Sequence, residues 1–194
     1  MAVTSVLERI EADLSSIDVD LLSAGDAASL VPLLARLEHR LGALKLACGR
    51  RGVESAVHLR SGARDGASWF SSLTGVSVGA AKASLQTVSR LDSLPQVQAA
   101  FQSGSLSLEQ ARLVAEAASS DPGSEALLLK AAQVKSMVGL KRECRGVSAR
   151  SGENEASRYE SLRKKRYLRT WTSSDGMVCG SFALMADEGA LLLV

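Results

Sequence analysis

The 194-residue sequence has few of the side chains that carry most reaction chemistry. It contains two histidines and three cysteines, and aromatic residues make up only 4% of it. His39 and His58 have no cysteine close by to complete a zinc site, and His39 is expected on the solvent side of a helix. No serine stands in a GxSxG motif. We therefore predict no catalytic residue, and no metal, cofactor or small-molecule ligand bound by this chain.

Long apolar runs are also missing. No run approaches the ~20 residues that cross a bilayer, and Glu8, Arg9 and Glu11 interrupt the apolar residues near the N-terminus, which excludes a signal peptide there. The cysteines are odd in number and form no CxxC pair, so we predict free, buried thiols in a reducing compartment. These absences predict a cytoplasmic protein without a membrane partner.

The residues that are present suit packed helices. Hydrophobic residues make up 46% and charged residues 23% of the chain, which is the balance of a globular protein. Apolar positions recur every three or four residues up to about residue 150. The predicted fold is mainly α: residues 1–150 form a multi-helix domain with a helix-turn-helix-like centre. Residues 151–194 add a charged helix, a β-hairpin and a truncated helix.

An early helix, expected to start after an Asp26 N-cap, carries a regular apolar seam. Its positions alternate in steps of four and three, as in a coiled coil: Leu30, Leu34, Leu37, Leu41, Leu44 and Cys48. Such a seam needs a partner helix. Its length of about two and a half heptads favours a partner from the same chain, and a homodimer through the seam is the alternative.

The segment from Ser68 to Leu91 is typical of a helix-turn-helix. A short helix meets a break at Thr74-Gly75, and Ser77 caps a second helix. The residues expected to point inward are Val78, Ala81, Leu85, Val88 and Leu91, whereas Ser84 occupies a position that normally packs. The second helix then exposes Lys82, Gln86 and Arg90, which are suited to phosphate or base contacts. An ordinary helical hairpin is the alternative.

A β-hairpin is predicted around Asp175-Gly176, between strands at 167–174 and 177–184. A two-residue turn there places Trp171 opposite Gly180 and Tyr167 opposite Leu184. One face, expected to bury against the helices, then contains Tyr167, Arg169, Trp171, Val178, Phe182 and Leu184.

Positive charge is concentrated near the hairpin. The net charge of the chain is only +2, yet residues 137–170 contain ten Lys and Arg against four Glu. The densest piece is Arg163, Lys164, Lys165 and Arg166. This cluster is suited to phosphate contacts with a salt-sensitive affinity, and the alternative is a solvated helix end.

Several motifs occur in a characteristic order. They are Gly66-Ala67-Ser68-Trp69-Phe70, Thr74-Gly75-Val76-Ser77, Leu91-Asp92-Ser93-Leu94-Pro95, the stretch 99–112 (AAFQSGSLSLEQAR), and Arg169-Thr170-Trp171 followed by Asp175-Gly176-Met177, Gly180 and 186–190 (ADEGA). Over about residues 25–194 the chain resembles the domain of unknown function 222 family, also called the 13E12-repeat family, of actinobacterial proteins.

In that family an HNH nuclease module commonly follows this domain. The resemblance implies a non-catalytic N-terminal domain of an HNH endonuclease that assists DNA binding or targeting, with any divalent metal in the nuclease module. We expect this sequence to end before such a module, with its apolar end at 190–194 as a helix cut short. The alternatives are an oligomerisation or partner-binding module and a helix-turn-helix regulator. The predicted DNA-contacting residues are Lys82, Arg90, Arg163, Lys164, Lys165 and Arg166.

Overall fold

A computed structural model describes residues 2–150, 160, 163–185 and 188–189 of the chain. Within them the protein is mainly helical with a C-terminal antiparallel hairpin, so the predicted fold class is confirmed. Two short 3-10 helices lie at Val19–Leu21 and Pro122–Ser124. The α-helices and strands are α1 (Ala2–Ser15), α2 (Ala24–Glu54), α3 (Val57–Arg60), α4 (Gly66–Thr74), α5 (Val78–Leu91), α6 (Pro95–Gln102), α7 (Leu108–Ala118), α8 (Glu125–Val134), α9 (Met137–Arg150), β1 (Tyr167–Thr172) and β2 (Val178–Ala183).

Side-chain caps set several of these helix starts. Ser107 caps α7 in a capping box with Gln110, which satisfies two backbone N–H groups at once. The Asp26 cap predicted for α2 is wrong. Ser23 is the cap and accepts a hydrogen bond from the Asp26 N–H, so Asp26 lies in the first turn, where its carboxylate faces the positive end of the helix dipole.

The core is built around α7, which contacts α2, α5, α6, α8 and α9. Four alanines and one valine of this helix are buried, and these small side chains let the neighbouring helices approach closely. Larger aliphatic residues from the surrounding elements fill the remaining space: Leu91, Leu94, Val97, Leu106, Leu128, Leu140 and Val147. The core therefore contains little aromatic volume, in accordance with the composition.

A buried carboxylate joins α8 to α6. Glu125 is 8% exposed, and its Oε1 accepts hydrogen bonds from the backbone N–H groups of Gln96 at 2.8 Å and Val97 at 3.0 Å. The first N–H groups of a helix have no partner within the helix. Glu125 supplies an acceptor for two of them from 28 and 29 residues away, as an N-cap contributed by tertiary structure.

α2 presents two different faces along its 31 residues. Its buried residues are Ala43, Leu46 and Gly49, all in its C-terminal half. The predicted seam lies elsewhere on the helix: Leu34, Leu37, Leu41 and Leu44 are 40–47% exposed. The prediction that this seam packs within the chain is therefore wrong, because the core uses the Ala43 face of the same helix.

Two glycines let α2 approach α4. A Cβ atom on Gly49 would lie 2.3 Å from the Phe70 ring, and one on Gly52 would lie 2.4 Å from the Trp69 ring. These distances are far shorter than van der Waals contact. The absence of a side chain at both positions is therefore what allows the aromatic pair of α4 to rest on α2.

The hairpin differs from its predicted register by one residue. Tyr167 pairs with Ala183 and Trp171 with Cys179, because the connection is a three-residue loop closed by the Ser173 N–H to Met177 carbonyl bond at 2.8 Å. Gly176 in this loop has a φ of 79°, as in a turn followed by a bulge. The predicted single apolar face is wrong: Tyr167, Arg169 and Trp171 lie on one face, and Val178 and Phe182 lie on the other.

The expected burial of the hairpin is also wrong for the described residues. Trp171 is 51% exposed and Phe182 56%, so neither face is covered by helices. Of the predicted charged helix, 151–159 and 161–162 lie outside the described residues. Of the predicted final helix, 186–187 and 190–194 also lie outside them.

All three cysteines are free, but only one is buried. Cys144 lies in the core and burial raises the pKa of its thiol. Cys179 is partly exposed. Cys48 is exposed, contrary to the prediction of buried thiols, because the seam to which it belongs is not covered.

Candidate nucleic-acid interface

α4 and α5 are joined by a tight turn. Gly75 adopts a φ of 72° and ends α4, a conformation that costs glycine little. The Ser71 hydroxyl donates to the Val76 carbonyl at 2.6 Å across the turn, and Ser77 accepts from the Ala80 N–H to begin α5. The predicted helix, turn and helix are therefore present, with the break and the cap at the predicted residues.

A third helix supports this pair. The C-terminal half of α2 packs on α4 through Gly49 and Gly52, and α2 also contacts α5. The result is a three-helix unit, composed of α2, α4 and α5, in which α5 has one side against the protein. DNA-binding helix-turn-helix proteins place such a second helix in the major groove.

The outward side of α5 carries the residues that the sequence predicted. Lys82, Gln86 and Arg90 are all exposed, and their spacing of four places them along one side of the helix over about 12 Å. Ser84 is half-buried and satisfies its hydroxyl by donating to the Ala80 carbonyl at 2.9 Å. Hence a serine is tolerated at a position that normally packs.

The inward side of α5 agrees with the prediction except at its first turn. Ala81, Val88 and Leu91 are buried. Val78, which was predicted to point inward, is 46% exposed. It is the first residue after the Ser77 cap, ahead of the part of α5 that lies in the core.

Acidic residues are scarce in the segment that contains α4 and α5, and this signal is visible in the sequence. Between Ser55 and Leu91 the sequence has one carboxylate, Asp65, against two lysine or arginine side chains before it and two after it. Asp65 caps α4: its Oδ1 accepts from the Ser68 N–H at 2.7 Å, and this bond holds the pKa of Asp65 below its usual range. The segment of chain from Ser55 to Leu91 therefore carries a small net positive charge.

The first carboxylate after α5, Asp92, forms an ion pair with an arginine of α2. Asp92 accepts from the Arg50 guanidinium at 2.6 Å, and Arg50 also bonds Glu54 at 2.6 Å. The hydrogen bond from Arg50 lowers the pKa of Asp92, and the same two acidic partners raise the pKa of Arg50. The charge of Asp92 is thus compensated by α2. Arg90, two residues earlier, forms no ion pair with any residue that the structure describes.

The basic cluster at 163–166 lies in an exposed segment just before β1. Its two arginines have acidic partners: Arg163 bonds Glu160 at 3.7 Å, and Arg166 bonds Glu188. Lys164 and Lys165 make no ion pair with any residue that the structure describes. No hydrogen bond or ion pair within the described ranges joins this cluster to α5.

Neither histidine belongs to a candidate metal site within the described residues. His39 is half-buried, and its Nδ1 lies 3.2 Å from the Gly104 carbonyl, so the predicted solvent-facing position is wrong. His58 is half-buried on α3. In the part of the chain that the structure describes, no group of three His, Cys, Asp or Glu side chains is placed to hold a metal ion.

Comparisons with known proteins add no family or function to these observations. Within the described residues, no helix combines the length and apolar character that crossing a bilayer needs. No family model matches the sequence, and neither the curated proteins nor the solved structures contain a significant match to it.

Proposed function

We propose that this chain is a non-catalytic nucleic-acid-binding domain that contacts duplex DNA with the outward side of α5. The observation that carries the proposal is the supported helix-turn-helix arrangement of α2, α4 and α5, in which Lys82, Gln86 and Arg90 lie together on the free side. A single helix with this arrangement fits the width of the major groove.

The beginning of α5 suits a close approach to DNA. Gly79, Ala80 and Ala83 are exposed, and they are small enough to let the helix backbone come near the phosphates. Lys82 follows in the next turn and supplies a cation to them, while Gln86 offers an amide that pairs with adenine. The exposed Lys164 and Lys165 provide a second, sequence-independent contact with phosphates.

The accessory role beside an HNH nuclease stays a prediction from the family resemblance. Under it, this domain holds or directs DNA, and a separate module performs hydrolysis with its own divalent metal. A helix-turn-helix regulator is the competing role. The preference of the chain among duplexes distinguishes the two, because a regulator protects a defined sequence through Lys82 and Gln86, whereas an accessory domain binds duplexes of different sequence with similar affinity.

The experiment is fluorescence anisotropy of the full chain with a labelled mixed-sequence DNA duplex over a range of salt concentrations. We expect binding that weakens steeply with salt. Lys82→Ala/Arg90→Ala should reduce the slope of log K against log salt by roughly 2, since each lost phosphate contact removes about 0.9. Lys164→Ala/Lys165→Ala measures the contribution of the second cluster in the same way.

Lys130→Ala is the matched control, because Lys130 is an exposed lysine on α8, outside the three-helix unit. It should bind DNA as the parent does. Absence of binding at the lowest salt concentration, or equal affinities for the parent and Lys82→Ala/Arg90→Ala, would refute the proposed role of α5.

A further inference from the structure

An extended apolar surface covers α1 and the N-terminal two thirds of α2. None of residues 3–42 is buried. We call the following side chains, which are 39–71% exposed, the α1–α2 apolar face: Val3, Val6, Leu7, Ile10, Leu14, Leu34, Leu37, Leu41 and Leu44. Monomeric proteins seldom leave so many large aliphatic side chains together in water.

From this face we infer that the chain forms a symmetric homodimer in which the α1–α2 apolar faces of two copies pack on each other. The inference is independent of the proposed DNA contact, since it uses side chains of α1 and α2, whereas the proposed contact uses those of α5. It extends the predicted seam of α2 to a surface that includes α1.

The α1–α2 apolar face borders two open depressions that have room for a second copy. Phe70, Phe101 and Leu108 of the helical core also line the larger one. Leu14 of α1 and Leu34, Leu37 and Leu41 of α2 line one side of a groove of about 710 Å³ that is open to solvent. Leu7 and Ile10 line a second depression beside Leu41. Apolar side chains from another copy would fill these depressions, which the side chains of the same copy leave open.

Charge favours a second copy of this chain over an unrelated helix. Residues 8–20 contain five carboxylates and one arginine, whereas residues 36–45 contain three cations and one carboxylate. Within the described residues, none of the carboxylates of α1 forms an ion pair in its own chain. In a two-fold dimer each contact occurs twice, so acidic α1 of each copy would meet basic α2 of the other.

The size of the face also fits a dimer. An aliphatic side chain has roughly 100 Å² of apolar surface to bury, so these nine leave about 400 Å² exposed on each copy. Interfaces are about 60% apolar. An apolar area of about 400 Å² therefore corresponds to a total interface area of roughly 700 Å² per copy. This is close to the ~800 Å² that each partner buries in a standard interface.

The first test is sedimentation velocity of the full chain without DNA. We expect twice the mass of the 20.4 kDa chain. Leu37→Lys/Leu41→Lys places four charges in the interface of a dimer and should raise the dissociation constant at least a hundredfold. Leu127→Lys/Val134→Lys is the matched control, because these α8 residues are also exposed, at 53% and 76%. The control should remain a dimer.

A charge exchange tests the pairing of α1 with α2 and does not disturb any buried residue. Glu8→Lys/Glu11→Lys and Arg36→Glu/Arg40→Glu should each weaken the dimer of that variant with itself. An equal mixture of the two variants should restore a dimer, because both α1–α2 contacts of the mixed dimer join opposite charges. Circular dichroism should report unchanged helix content in every variant. A monomeric parent, a dimer that survives Leu37→Lys/Leu41→Lys, or the lack of any effect from both charge variants would overturn the inference.

Discussion

At the scale of single residues, the space left by a missing side chain decides how two helices meet. Gly49 and Gly52 of α2 lie directly under the rings of Phe70 and Trp69. Phe70 is 4% exposed and held by the core, so it has no room to move away. Trp69 is only half-buried, so its ring can shift more easily. Gly49 should therefore be the more sensitive position.

We expect Gly49→Ala to lower the free energy of unfolding by about 1–3 kcal/mol through overpacking against Phe70, more than the roughly 0.5–1 kcal/mol that alanine gains over glycine in a helix. Gly42→Ala is the control on the same helix, because a Cβ there meets nothing within 4 Å. It should stabilise the protein. Urea unfolding measures both, and equal effects of the two variants would contradict this account of the α2–α4 contact.

At the scale of elements, helix ends are satisfied by side chains from near and far. Local caps such as Ser77 and Ser107 act within their own helix. Glu125 acts from another helix on α6, and its two backbone partners include the buried N–H of Val97. Removing the carboxylate leaves both N–H groups without this acceptor, and that of Val97 is buried away from water.

Glu125→Ala should therefore cost about 1–3 kcal/mol of unfolding free energy, the penalty for buried donors that lose their partner. Glu125→Gln retains an oxygen acceptor and should cost less. Glu116→Ala is the surface control: its ion pair with Arg112 spans 3.8 Å between exposed side chains, so its loss should cost well under about 1 kcal/mol. Chemical denaturation of the three variants checks this order, and a Glu125→Ala protein as stable as the control would disprove the capping role.

At the scale of the whole molecule, pH acts through carboxylates that are engaged in the folded chain. Asp65 accepts from the Ser68 N–H, Asp92 from Arg50 and Glu143 from Lys135, and these bonds lower the pKa of each. Groups of this kind stabilise the fold fully above their unfolded pKa of about 4. The contribution disappears as pH falls through the lower folded pKa.

The thermal midpoint should accordingly be level above about pH 5 and fall in acid. Asp92→Asn should be less stable than the parent at neutral pH, and the difference should shrink as pH falls and Asp92 is protonated in the parent. Arg50→Gln, which removes the partner instead, should show the same convergence in a thermal melt series. A constant difference at all pH values would mean that the charge of Asp92 does not contribute.

Prediction from sequence was most successful where neighbouring residues act on each other. The turn at Gly75 and the cap at Ser77 follow from local backbone chemistry, and both were placed at the right residue. Prediction failed where distant residues decide. Thus α2 buried Ala43 and Leu46 in place of its more regular leucine seam. The hairpin register is a local exception, since it shifted by one because the turn closed as a three-residue loop.

The candidate site shows the same division. Local spacing was enough to place Lys82, Gln86 and Arg90 on one exposed side of a helix, and to identify the basic cluster before β1. Whether α5 had a free side depended on α2 and α4, which meet through two glycines and two aromatic rings far apart in sequence. The sequence alone determined the elements and their caps, because hydrogen bonding and side-chain periodicity act over a few residues. The tertiary structure decided which apolar faces became the core and which stayed in water, because burial depends on the three-dimensional competition among all of the helices.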